Sequence, residues 1–202
     1  MSNSFFKRLR KEIQLYEKDN FILPNLILKA SDDLGIWYFI IYDLKDTDFD
    51  DGVYLGKVIL PSNYPFKAPD FCVFTPSGRF EINKKLCTSF SGYHQDLYSP
   101  SLNIAGMLHG LISFMTDSVD KPESKGIGGI YNSTKEDKQK LAKDSRNFNM
   151  KNKFNNDIFE KYFSDYYNIL KIGSFSEEPN SKIEIKEPLV VIEEPKAKKA
   201  KK

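Results

Sequence analysis

The chain has 202 residues, 40% of them hydrophobic and 29% charged, with a net charge of +2. This suits one well-cored domain with extensions, and the near-balanced charge gives no argument for a nucleic-acid binder. Two cysteines and two histidines exclude a disulfide framework and make a zinc site untenable. The N-terminal stretch lacks the apolar core of a secretory signal. The longest apolar run, Ile36 to Tyr42, is far shorter than the roughly 20 residues a membrane span needs. The expectation is a soluble protein of the cytosolic or nuclear side.

Residues 3–18 predict a first helix: Phe5, Phe6, Leu9, Ile13 and Tyr16 recur at helical spacing. Lys7, Arg8, Arg10, Lys11 and Glu12 fill its other side, either as a solvated charged face or as a basic docking surface. Strand signals follow. Leu26–Leu28, Trp37–Tyr42, Val53–Leu60 and Phe71–Phe74 are rich in β-branched and aromatic residues, with polar breaks at Asp32–Gly35 and Asp46–Gly52. Short strands joined by short turns predict a four-stranded antiparallel meander. With a helix before it and helices after it, the class is α+β, the helices packed on one face.

Pro65, Pro69 and Pro76 end the regular sheet, because proline donates no ladder hydrogen bond. Residues 75–100 form a long irregular segment, and such loops in compact domains are usually functional. This one carries Cys87. Cys72 falls in an apolar strand and reads as core. Ile104, Leu108, Leu111, Ile112 and Met115 form the apolar stripe of the next helix, beside which His109 reads as a structural histidine. A charged helix from Ser133 to Asn149, capped by Thr134, and a last helix from Phe154 to Leu170 complete the predicted elements. The domain is expected to span 1–172. The remainder, 173–202, has the composition of a disordered charged tail. Its final Pro-Lys-Ala-Lys-Lys-Ala-Lys-Lys serves as a solubilising tail, a nuclear-import signal or a polyanion contact. Leu189, Val190, Val191 and Ile192, followed by two glutamates, form either an inert patch or a strand able to augment a small ubiquitin-like protein.

Tyr64-Pro-Phe-Lys-Ala-Pro69, the string Thr75-Pro-Ser-Gly-Arg-Phe80 ten residues ahead at Ser77, Lys85-Leu-Cys87, Ser99-Pro100 and Leu111-Ile-Ser-Phe-Met115 together resemble the ubiquitin-conjugating enzymes. Within that family they are most similar to the tail-anchored enzymes of endoplasmic-reticulum-associated degradation. The match covers about residues 5–170. It departs from the family in two places: Ser77 stands at the family's asparagine, and a charged tail replaces a hydrophobic anchor.

The resemblance implies acyl transfer through a thioester on Cys87, with ubiquitin received from an activating enzyme and passed to lysine, or to a hydroxyl, together with a ligase. A conjugating-like module that binds ubiquitin or a ligase without turnover is the alternative. The activating enzyme consumes the ATP, so no cofactor or metal is implied for this chain. The resemblance puts the activating enzyme on Lys7, Arg8 and Lys11, and the ligase on Phe5, Phe66, Ser99 and Pro100. It makes Asp120, or Asp117, the gate for the incoming lysine.

Elementary chemistry adds the rest. A thiolate attacks, and a donor must stabilise the tetrahedral oxyanion. Ser77 supplies one hydroxyl, which acts through water, holds the loop or contributes nothing; Asn83 is the other local amide. Lys84 and Lys85 either favour the thiolate or are ordinary solvated lysines. Tyr93-His94 follows Cys87 closely, but a cysteine hydrolase needs a third group to orient the histidine, and none is evident in the sequence.

Overall fold

The computed structural model describes residues 3–18, 24–117 and 129–166. Helix α1 (Asn3–Lys18) leads into strands β1 (Leu26–Ala30), β2 (Ile36–Tyr42), β3 (Val53–Ile59) and β4 (Asp70–Val73). All neighbours pair antiparallel in the order β1-β2-β3-β4, the predicted meander. Helices α2 (Ile104–Thr116), α3 (Lys135–Lys151) and α4 (Lys153–Tyr162) follow. The last helix is shorter than its sequence pattern suggested. Phe163 sits at its cap and a single 3-10 turn, Ser164–Tyr166, comes after it. The expected 172/173 boundary and the charged tail lie outside the described residues. Among the described residues no helix is long and apolar enough to cross a membrane.

Side chains alternate across a strand, so each strand has two faces. Trp37, Phe39, Ile41, Tyr54, Val58, Phe71 and Val73 point to one side, where Phe5 and Leu9 of α1 and Leu108 and Leu111 of α2 cover them. Ile27, Ile40, Val53, Leu55, Cys72 and Phe74 point to the other, where Ile158 and Phe159 of α4, with Phe163, cover them. The helices therefore flank both faces, which corrects the one-face expectation. The reason is visible in β2: its run Ile-Trp-Tyr-Phe-Ile-Ile-Tyr is apolar on both sides, as in strands buried on both faces. At the centre of β3, Gly56 lies opposite Phe39. A Cβ there would sit 2.2 Å from the Phe39 ring, so only glycine lets this large ring occupy the sheet centre.

Strand β4 pairs only with the second half of β3. Side chains take over the first half. Val53 N donates to Ser145 Oγ (2.9 Å), Asn149 Nδ2 donates to Val53 O (2.9 Å), and Leu55 N donates to Thr75 Oγ1 (3.0 Å). Thr75 Oγ1 donates to Asn149 Oδ1 (2.7 Å), and Asn155 Nδ2 donates to the same oxygen (2.7 Å). Helix α3 and Thr75 thus supply hydrogen bonds a longer β4 would otherwise make, satisfying backbone groups that would be costly to bury unpaired. Thr134 caps α3 as its sequence position predicts, accepting from Asp137 N at 3.2 Å.

On the α1 side the central polar group is Glu12, 5% exposed. Its Oε1 accepts from Arg8 Nε (2.7 Å) and from the Tyr64 hydroxyl, and its Oε2 accepts from the backbone N of Ile104 (2.7 Å). That N–H belongs to the open first turn of α2, where the helix dipole favours an anion. Arg8 continues the network, donating through Nη1 to Pro100 O (2.7 Å) and through Nη2 to Leu102 O (2.5 Å). Asn103 caps α2, accepting from Gly106 N at 2.6 Å. Burial, then the charge of Glu12, holds the Tyr64 phenol well above the ordinary tyrosine range. For Arg8, burial alone would lower the pKa, but the Glu12 hydrogen bond and the neighbouring charges more than reverse it.

Glu12→Ala leaves a buried tyrosine hydroxyl and a buried helix N–H without their acceptor, and is expected to cost about 3 kcal/mol or more. Lys11→Ala, on the exposed side of the same helix, should stay within about 0.5 kcal/mol. Urea unfolding midpoints compare the two; equal midpoints would refute the role given to Glu12.

Candidate active site

The loop after β4 is fastened at both ends before it reaches Cys87. Thr75 is tied to β3 and α3, as described above. Gly78 follows at φ +78°, and a Cβ there would sit 2.3 Å from Ser133 Oγ. Glycine is needed both for the left-handed backbone and for the close crossing of residues 129–133. That crossing segment donates from Tyr131 N to Arg79 O (3.0 Å) and from Ser133 N to Gly78 O (2.9 Å), and Ile130 bridges Phe80. Arg79 is 3% exposed. Its Nε and Nη2 donate to Phe114 O, each at 3.3 Å, and its guanidinium lies 4.5 Å from the Phe114 ring centroid. A cation at the negative end of α2 fixes the loop to that helix.

Ser77 has no exposed surface. Its Oγ accepts from the backbone N of Arg79 and of Phe80, each at 3.2 Å. Of the roles open to it from sequence, this geometry matches holding the loop: the hydroxyl oxygen organises the turn from inside. Asn83 is exposed and stands at φ +62°, a conformation asparagine tolerates better than most residues. Its N–H donates to Val73 O (2.9 Å) and Leu86 N donates to Phe71 O (2.9 Å), so residues 83–86 run as a short antiparallel extension beside β4. Lys84 pairs with Glu81, and Lys85 with Asp70 at 2.6 Å. Both lysine charges already have acidic partners, which favours the solvated, paired reading over thiolate activation.

The extension delivers Cys87 half-buried at its end, whereas Cys72 is buried in the second core, where loss of solvent pushes its thiol pKa up. Next comes a tight turn. Ser91 Oγ accepts from Thr88 N (3.0 Å) and donates to Thr88 O (2.9 Å), and Ser91 N donates to the same carbonyl (3.0 Å). The turn launches the 3-10 helix Gly92–His94, whose His94 N donates to Ser91 O (3.0 Å). This folds the imidazole back over the cysteine: His94 Nε2 lies 3.2 Å from Cys87 Sγ. The loop is also fixed to the proline turn, with Gly92 N donating to Pro69 O (3.1 Å) and Gln95 Oε1 accepting from Ala68 N (2.9 Å). An open groove runs between Ser89 and Phe90 of this loop and α2 at Gly110, Ser113 and Thr116, ending at Asp117.

His94, weighed in the sequence only as half of a discounted hydrolase pair, is the side chain the fold brings to Cys87. The spacing from Cys87 was visible, but the 3-10 turn that closes the distance was not. The other expected residues divide. Lys7 and Lys11 are exposed on α1, and Phe66 (64% exposed), Ser99 and Pro100 are open to solvent. Phe5 is not available to a partner: it is fully buried, edge-on to Phe6 at 5.6 Å. Arg8 is engaged with Glu12 and the 100–102 loop rather than presented outward. His109 is exposed, with no hydrogen-bond or ionic partner among the described residues, so it is not the structural histidine expected. Asp117 is the exposed C-cap of α2. Asp120 and Leu189–Ile192 lie outside the described residues.

A half-buried thiol with an imidazole in reach, on a loop held by strand, helix and crossing segment, is equipped for nucleophilic attack on an acyl carbon. Residues 8–148 match the family described as ubiquitin-conjugating enzyme. Ubiquitin-conjugating enzyme E2 J2-like of Dictyostelium discoideum is 38% identical over 146 residues, covering 72% of this chain and 82% of that protein. Ubiquitin-conjugating enzyme E2 6 of Schizosaccharomyces pombe is 37% identical over 149 residues, covering 74% and 63%. Ubiquitin-conjugating enzyme E2 J1 of Homo sapiens is 39% identical over 117 residues, covering 58% and 35%. The chain thus spans most of the first relative but less than two thirds of the other two. It belongs to the ubiquitin-conjugating enzyme family, and is a cysteine acyltransferase of ubiquitin conjugation.

Ser77→Ala removes the acceptor for two buried backbone N–H groups and is expected to cost about 1–3 kcal/mol. Ser77→Asn enlarges a fully enclosed position and should also destabilise, by about 1–3 kcal/mol. Thermal unfolding of both variants checks this. A Ser77→Ala protein as stable as the parent would contradict the loop-holding role.

Proposed function

We propose that this chain accepts ubiquitin from an activating enzyme as a thioester on Cys87 and passes it to a substrate lysine, with a ligase docked beside the site. The observation carrying this reading is the contrast between the two thiols: Cys72 is sealed in the core and Cys87 is presented at the end of the sheet extension. In charging, the Cys87 sulfur bonds to the ubiquitin carbonyl carbon and the activating enzyme's thiol leaves. In discharge, the acceptor nitrogen bonds to that carbon and Cys87 leaves. ATP is consumed by the activating enzyme, so Cys87 needs no cofactor for either step.

Lys7 and Lys11, exposed on α1, are the proposed contact for the activating enzyme; the exposed Phe66, Ser99 and Pro100 are the proposed ligase surface. The Thr75–Phe80 string supports placement beside the tail-anchored conjugating enzymes. On the same reading Asp120 gates the acceptor lysine and 173–202 is an extension of the catalytic unit. The lysines of that extension favour cytosolic or nuclear placement, and its Leu189–Ile192 run offers a strand to a ubiquitin-like partner.

Incubation with ubiquitin, activating enzyme and ATP should give a thiol-sensitive adduct that Cys87→Ala abolishes and Cys72→Ala retains. A folded protein that forms none beside a charging control enzyme would refute the proposal. Phe66→Ala should charge normally but lose ligase-stimulated discharge about tenfold or more, as expected for an exposed aromatic anchor; unchanged stimulation would remove Phe66 from the ligase surface.

A further inference from the structure

Two hydroxyl side chains of this chain directly precede a proline: Thr75 before Pro76 and Ser99 before Pro100. The fold treats them in opposite ways. Thr75 has no exposed surface; its Oγ1 accepts from Leu55 N (3.0 Å) and donates to Asn149 Oδ1 (2.7 Å). Ser99 is exposed. Its Oγ lies 2.7 Å from the hydroxyl of Ser101, itself exposed, and accepts from Ser101 N at 3.4 Å. A surface neighbour, not the interior, therefore engages this hydroxyl. That sets it apart from the enclosed Ser77, Ser91 and Ser145.

The turn that carries Ser99 has a fixed shape. Leu102 N donates to Ser99 O (3.0 Å), with Pro100 at the second position, which suits its fixed φ. Arg8 holds the turn through Pro100 O (2.7 Å) and Leu102 O (2.5 Å). Tyr98 is buried while Ser99, Pro100 and Ser101 are open to solvent, so the serine is presented outward. The proline also removes a backbone N–H directly after the serine. A kinase cleft that meets this position with an apolar socket leaves no donor unpaired, whereas any other residue would bury an N–H without an acceptor. Ser99-Pro100 has the chemistry a proline-directed protein kinase reads, on a surface such a kinase can reach.

We propose that Ser99 is a phosphorylation site for a proline-directed protein kinase, and that its phosphate shuts off ligase docking; the second part rests on the proposed ligase surface at Phe66, Ser99 and Pro100. Ser99 Oγ bonds to the γ-phosphorus of ATP as the bond from that phosphorus to the bridging β-phosphate oxygen breaks. ADP leaves, and the hydroxyl proton goes to the catalytic base of the kinase. The phosphoserine carries roughly two negative charges at neutral pH. The turn holds that charge in place, because Arg8 ties it to α1 and Glu12 ties Arg8 to Tyr64, two residues before Phe66. Phe66, 64% exposed, is the apolar part of the same surface. A ligase that buries Phe66 must then strip water from a dianion or stand off from it, and either weakens docking. Cys87 and its loop are untouched, so the thioester still forms and its ligase-assisted discharge falls.

The test treats the full chain with ATP and a mitogen-activated protein kinase, and locates the phosphate by mass spectrometry. Phosphate should appear on Ser99 and not on Thr75, and Ser99→Ala should abolish it. The phosphorylated chain is then charged with ubiquitin. Its isolated thioester is discharged to free lysine with and without a RING-type ligase domain that stimulates the unmodified chain. Phosphorylation should reduce that stimulation at least tenfold, and phosphatase treatment should restore it. An unmodified Ser99, while the kinase phosphorylates a control Ser-Pro peptide, would overturn the proposal. So would stimulation reduced less than tenfold at full occupancy, or a loss that phosphatase does not reverse. If no RING domain stimulates the unmodified chain, the ligase surface itself fails, and the regulatory half of the proposal falls with it.

Discussion

A carboxylate buried at the junction of three segments sets the layout of one side of this enzyme. Glu12 gathers Arg8 from its own helix, the phenol of Tyr64 from the proline turn and the first open N–H of α2. A charge with little access to water must be satisfied by several donors in fixed directions, so these segments have little freedom to slide past one another. The proposed partner surfaces inherit that rigidity. Lys7 and Lys11 lie on the helix that carries Glu12, Phe66 follows Tyr64 by two residues, and Ser99 and Pro100 are held through Arg8. One ionic group inside the fold therefore sets the relative positions of surfaces proposed to meet two different partners.

The second polar cluster has the matching role at the chemical end. Thr75, Ser145, Asn149 and Asn155 complete the unpaired half of β3 and in the same stroke fix the start of the Cys87 loop. The loop is then held by Arg79 to α2 and by Gly78 to the crossing segment. What remains for Cys87 is a defined position on a frame that satisfies its own hydrogen bonds, as an acyl-transfer site requires if a bulky protein thioester is to be presented in one geometry.

Much of this was legible in the sequence because periodicity carries it. The β-branched and aromatic runs of β1 to β3, the apolar stripe of α2 and the Thr134 cap translate directly into structure. The motifs around Cys87 separate the working thiol from the core one. The misses have a common cause: each depends on a contact between residues far apart in the chain or on an irregular turn. Arg8 shares a charged helical face with Lys7 and Lys11, and only the position of Pro100 and Leu102 shows that it points inward. Phe5 belongs to the helix's apolar stripe, and assigning it to a partner gave the resemblance precedence over that pattern. Ser77 and the asparagine it replaces differ by one functional group, but its complete burial is a property of the packed loop. His94 reaches Cys87 through a 3-10 turn that no periodic pattern announces.

The two-sided covering of the sheet also bears on how the molecule comes into being. Synthesis runs from the N-terminus, and Ile27, Ile40, Val53 and Leu55 emerge long before Ile158, Phe159 and Phe163, which shield them. Thr75 likewise waits for Asn149. A nascent chain released short of its last helix would carry the cysteine and all its flanking motifs, yet leave one apolar face of the sheet open to solvent and to other chains. The segment that shields this face, α4 with Phe163, is thus the one whose arrival turns a sticky intermediate into a finished catalyst.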